Sequence, residues 1–156
     1  MCELDLYGTV DGAVCTLDGI NHLVKSDDVK KTFQKISLFL ESGSLFIFDV
    51  NTVYKHENVL ANHSFVYDYD DIFCAWQSAY NREKRIVSHT LDFFEPENGH
   101  KYSRSREYLC ERAYSVAQLS GWLEAAGFDV AAVYDDMTTS APAPSSERLY
   151  FVARKM

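Results

Sequence analysis

Two short stretches hold most of the side chains that could move a proton or orient a ligand. Asp18, Asn21 and His22 follow one apolar run, and Asn51, Thr52 and Tyr54 follow another. Imidazole and carboxylate exchange protons in aqueous chemistry, while amides and phenols orient bound groups. A third set, Arg104, Arg106, Tyr108 and Arg112, recurs at even spacing and so shares one face of an extended strand. A cationic stripe of this kind can hold a carboxylate substrate. It can equally pair with surplus Asp and Glu on a solvated surface. Asp18-Gly19 likewise reads as a turn as well as a site, and Asn21 as a cap.

The elements that must position these residues follow from periodicity. Residues 12–17 (GAVCTL) form a short apolar run of the kind seen in buried parallel strands. Ser26, followed by Asp27 and Asp28, is the expected N-cap of a helix whose stripe is Val29, Phe33, Ile36 and Leu40. Gly43 is the expected stop, and residues 44–50 (SLFIFDV) are the next buried strand. Strand, helix, strand implies a parallel pair with a right-handed crossover. Residues 63–69, 72–80, 85–94 and 101–114 read as antiparallel strands, separated by turn-rich breaks that include 81–84 and 96–99. Tyr114 and Leu119 fit a hydrophobic staple, Ser115 and Gln118 a capping box, and Gly127 the residue after the closing helix. Residues 128–134 and 147–153 complete the chain as strands, joined by an Ala-, Pro- and Ser-rich loop at 138–146.

Composition narrows the function classes. The 156 residues are 47% hydrophobic and carry a net charge of −8. That suits one cored domain with a subdomain, and it repels phosphate backbones, so nucleic acid is not an expected partner. The four cysteines form no C-x-x-C pair and fit neither a zinc site nor a disulfide framework. No apolar stretch suits a signal peptide or a membrane span, which makes the cytoplasm the expected location.

Several segments together resemble class I S-adenosylmethionine-dependent methyltransferases. Residues 10–23 (VDGAVCTLDGINHL) are similar to that family's fourth strand and following loop, and residues 39–52 (FLESGSLFIFDVNT) to its fifth strand. Residues 123–128 (LEAAGF) and 148–155 (RLYFVARK) resemble its last helix and last strands. The middle resembles the antiparallel lid of a bacterial small-molecule subgroup.

The resemblance implies an α/β fold with strand order 4-5-7-6 and an inserted antiparallel lid. It divides the chain into residues 1–60 (βαβ core), 61–114 (lid) and 115–156 (closing αββ). It also implies S-adenosylmethionine as cofactor of the complete protein and a small-molecule methyl acceptor. Met1, Cys2, Leu17 and Asp18 would line the cofactor. Asn21, His22 and Tyr54 would serve catalysis, and Asn51, Arg106, Arg112 and Tyr114 would bind substrate. No metal is expected. The family's glycine-rich loop follows its first strand, and no G-x-G occurs here. The expectation is therefore a C-terminal portion, inactive alone, with strand 12–17 as an open edge. That edge would pair with another copy or with a missing N-terminal half. The alternative is a non-catalytic half-domain that associates through the same edge.

Overall fold

The computed structural model describes residues 1–97 and 101–156, and the second half of the expected turn at 96–99 lies outside them. The opening apolar run forms β1 (Val10–Cys15), which pairs in parallel with β2 (Leu40–Asn51) across helix α1 (Ser26–Phe39). β1 starts and ends two residues earlier than its sequence pattern implies. Thr16 lies beyond it, and Leu17 and Asp18 turn away with φ of 58° and 51°.

Two helix-end expectations are corrected. Lys25 is the residue that caps α1, with no side-chain hydrogen bond, so Ser26 does not serve as the cap. Leu40 is already extended and opens β2 directly, so Gly43 does not stop the helix. Gly43 does take positive φ (84°), inside a register shift where β2 moves from pairing Val10 with Leu40 to pairing Gly12 with Leu45. The excursion loops out of the ladder, and glycine removes its steric cost.

After a π-helical turn (Lys55–Leu60), the chain builds a four-stranded antiparallel sheet. Its strands are β3 (Ser64–Asp68), β4 (Phe73–Asn81), β5 (Ile86–Pro96) and β6 (Tyr102–Arg112). Helix α2 (Val116–Ala125) follows. The Ser115–Gln118 capping box is present, and Gly127 sits past the end at φ 88°. β7 (Phe128–Asp135) and β8 (Arg148–Lys155) then close the first sheet in the order β1-β2-β8-β7. In chain order this matches the strand order 4-5-7-6.

The hydrophobic core joins α1, β2, α2, β7 and β8 through Phe33, Phe46, Phe48, Phe128 and Phe151, all fully buried. Phe48 stacks on Phe46 at 4.8 Å and on Phe151 at 4.9 Å. No residue of β3–β6 belongs to this cluster among the described residues. The lid is attached to the core in another way, and that attachment lies where the functional candidates converge.

Candidate functional site at the core–lid junction

Open α/β sheets bind ligands beyond the carboxyl ends of their strands. Here the ends of β1 and β2 and the start of β8 meet the inner face of the lid. The turn after β1 is tight: a Cβ on Gly19 would lie 2.8 Å from Cys15 Sγ, so the Cys15 side chain would have to shift to admit one. The left-handed Asp18 is held by its own N–H, which donates to Asp49 Oδ2 at 3.0 Å. Arg148 pairs with Asp49 Oδ2 and reaches Asp18 Oδ1 at 3.6 Å.

Asn21 is fully buried and fully used. Its Nδ2 donates to the carbonyls of Asn51 and Arg112, both at 3.0 Å, and its Oδ1 accepts from the Asn51 N–H at 2.9 Å. The Arg112 N–H donates to the Asn21 carbonyl at 2.8 Å. The side chain therefore clamps the loop after β1, the end of β2 and the end of β6 together. Both its amide protons are engaged in this clamp.

Asn51 is also a hub. Its Nδ2 donates to Asp18 Oδ2 at 2.6 Å and to Glu111 Oε2 at 3.1 Å, while its Oδ1 accepts from Lys55 Nζ at 3.0 Å. Glu111, on β6, lies 3.2 Å from His56 Nε2 through Oε2 and 3.3 Å from His89 Nε2 through Oε1. His89 Nδ1 accepts from the Trp76 indole N–H at 2.9 Å, so its ring proton sits on Nε2, toward Glu111. Burial alone would push the Glu111 carboxyl up. The hydrogen bonds from His56, His89 and Asn51 outweigh it and hold this group well below the usual carboxylate range.

His22 is the exposed member of the constellation. Ligand-type atoms of Asp18, His22 and Glu111 lie within 4.8 Å of one another. Both carboxylates are already met by Asn51, with Arg148 and the two buried histidines beside them. The trio therefore has the character of a proton-transfer cluster more than of a cation site. The remaining sequence candidates stand apart. Tyr54 lines a separate cavity of about 220 Å³ with Thr52, Tyr114 and Pro142. Leu17 is 78% exposed. Met1 packs its sulfur against Cys15, and Cys2 points at Asp28 and Thr32 of α1.

Arg104 and Arg106 are not in this junction, and Arg112 enters it through its backbone. Glu111 and Arg106 are an odd number apart on an unbroken ladder, so they occupy opposite faces of the lid. Arg106 and Arg104 grip Asp92 on the outer face and hold its carboxyl at about 2. Arg112 donates to the Val24 carbonyl and covers the Tyr114 ring, and the Tyr114 hydroxyl donates to the Leu23 carbonyl. The solvated ion-pair reading of the stripe thus describes Arg104 and Arg106.

Glu111, His56, His89, Lys55 and Arg148 were not among the sequence candidates. The available signal was parity: Glu111 falls on the face opposite the arginine stripe, the face that must meet the core.

No family model matches the chain. Two curated proteins, both bearing the name "Putative methyltransferase", align with it. One, from Geobacillus sp. (strain WCH70), is 32% identical over 155 residues, covering 99% of this chain and 63% of the relative. The other, from Bacillus subtilis (strain 168), is 32% identical over 148 residues, covering 95% and 60%. A solved S-adenosylmethionine-dependent methyltransferase from Clostridium acetobutylicum ATCC 824 superposes with a TM-score of 0.89 at 30% identity, over 99% of this chain and 61% of that one. The structure of the CcbJ methyltransferase from Streptomyces caelestis, 15% identical with a TM-score of 0.81, shares the fold. In sequence and fold this chain is similar to part of an S-adenosylmethionine-dependent methyltransferase. It carries a Rossmann-like sheet with an antiparallel lid, and it spans about three fifths of the length of the relatives it matches.

The buried Glu111 carboxylate gives the fold a defined acid sensitivity. It binds its proton more weakly in the folded than in the unfolded chain. Its contribution is therefore full above the unfolded value of 4.5 and is lost as pH falls toward the depressed folded value. In urea titrations from about pH 5 down to about pH 2, the native chain should lose stability more steeply than Glu111→Gln. Equal slopes would contradict this account of the junction.

Proposed function

We propose that this segment forms the acceptor side of an S-adenosylmethionine-dependent methyltransferase that acts on a small molecule. The observation that carries the reading is the meeting of Asp18, His22 and Glu111 where the strand ends face the lid. When bound, the cofactor supplies an electrophilic methyl group on a good leaving group. The chain's own task is then alignment and proton removal.

The residues present fit part of such a cofactor. Asp18 offers a partly exposed carboxylate beside a strained turn, suited to a cationic sulfonium and its ammonium group. Leu17 and Asp18 would line its methionine part, and Met1 and Cys2 would lie toward its adenine. His22 would take the proton that the acceptor loses when it receives the methyl group. Asp18 and Glu111 favour the imidazolium that results. Asn21, Asn51 and Arg148 hold the frame. The glycine-rich loop typical of the family has no counterpart in this sequence, so the segment works with a further part that supplies it.

The open edge of β1 supports that second requirement. Among the described residues β1 pairs only with β2, and Val14 is 69% exposed beside an apolar groove lined by Met1, Leu6, Val10, Ile36 and Phe46. Such an edge suits a parallel strand from the rest of the methyltransferase, or a second copy. Amide exchange at those N–H groups of β1 (Val10–Cys15) that point away from β2 should be fast in the isolated chain and slow once the partner strand is present. Slow exchange at these outward N–H groups in an isolated monomer would contradict an open edge.

In the assembled methyltransferase, His22→Ala should lower turnover by about 10²-fold, with the KM for S-adenosylmethionine unchanged. S-adenosylhomocysteine release is the readout. Unaltered turnover would remove His22 from the chemistry.

A further inference from the structure

The lid meets the core across a polar seam. The seam consists of the Asn21 clamp on Arg112, the Asn51 and His56 contacts to Glu111, and a bond from Tyr80 Oη to Glu57 at 3.2 Å. One amide nitrogen in that seam has two carboxylate acceptors, Glu111 on the lid at 3.1 Å and Asp18 on the core at 2.6 Å. Asn51 is thus the only hydrogen-bonded bridge between those two carboxylates among the described residues.

Glu111 is the lid's contact to the Asn51 amide: Asn51 Nδ2 donates one proton to Glu111 Oε2 and one to Asp18 Oδ2. His56 Nε2 lies 3.2 Å from the same Glu111 oxygen, and the other oxygen faces His89 Nε2 at 3.3 Å without a hydrogen bond. The lid residue therefore has a specific means of fixing the Asn51 amide. Asn51 cannot swing without giving up either Glu111 or Asp18.

We propose that Glu111 is a positioning residue for the acceptor face: docking of the lid fixes Asn51, and Asn51 fixes the Asp18 carboxylate beside His22. The acceptor face is then complete only with the lid seated. This inference rests on reading Asp18 and His22 as that face, but its test needs neither cofactor nor acceptor. It can therefore fail while methyl transfer stands, and it can hold while the His22 turnover result fails.

The test is a double-mutant cycle on the unfolding equilibrium of the 156-residue chain, using Asp18→Ala and Glu111→Ala. Two like charges this close repel directly, so independent residues would make the double variant worse than the product of the single effects. Coupling through Asn51 predicts the reverse: the double variant should be more stable than that product by at least about threefold in the unfolding constant. The favourable coupling should vanish or change sign in an Asn51→Ala background. Additive effects, or favourable coupling that survives Asn51→Ala, would overturn the proposal. If the double variant does not fold, amide exchange in Glu111→Ala decides. Exchange at residues 17–22 should rise at least about tenfold, while the β2–β8 ladder stays unchanged. Unchanged exchange at 17–22 would overturn the proposal equally.

Discussion

A carboxylate out of water must be met by donors on every side, or it will not stay charged. Glu111 is 6% exposed and is met by the Asn51 amide and His56, with His89 Nε2 3.3 Å from its other oxygen. Much of the junction follows from satisfying this one group. It fixes which face of the lid turns inward, sends the arginine stripe outward to Asp92, and ties the end of β2 to the lid. The turn after β1 is drawn into the same network through Asp18 and the Asn21 clamp.

The contrast with the core is physical as well as positional. The five phenylalanines between the sheet and the helices form a non-directional apolar contact that tolerates small shifts. The core–lid junction is directional, and each bond there constrains an angle. A site that must align two reactants benefits from the second kind of contact. The apolar core supplies the stability that lets the junction stay polar.

Local patterns were legible in the sequence because local physics sets them. The βαβ opening, the Ser115–Gln118 capping box, the Gly127 stop and the four lid strands each depend on residues a few positions apart. Boundaries moved where two elements touch without a linker, as at Phe39–Leu40, and where an excursion such as Gly43 imitates a helix end. The site was only half legible. Asp18 and His22 were visible at a strand end. Asn21 was visible too, but its role depends on partners 30 and 91 residues away. His56 and Glu111 are 55 residues apart, and their meeting depends on how the lid seats. No periodicity in a single strand encodes that distance. The resemblance to methyltransferases carried the fold and strand order, while Arg104 and Arg106 went to the outer face and Arg112 to the Val24 carbonyl and the Tyr114 ring.

The central claim is that the ends of β1 and β2 form the cofactor and acceptor face of a methyltransferase. S-adenosylhomocysteine titrated to millimolar concentration into isotope-labelled chain, followed by amide chemical shifts, tests it most directly. The account predicts weak, saturable shifts at residues 1–4, 17–22 and 49–55. Shifts confined to the outer lid around Arg104 and Arg106, or none at all with the chain folded, would contradict it.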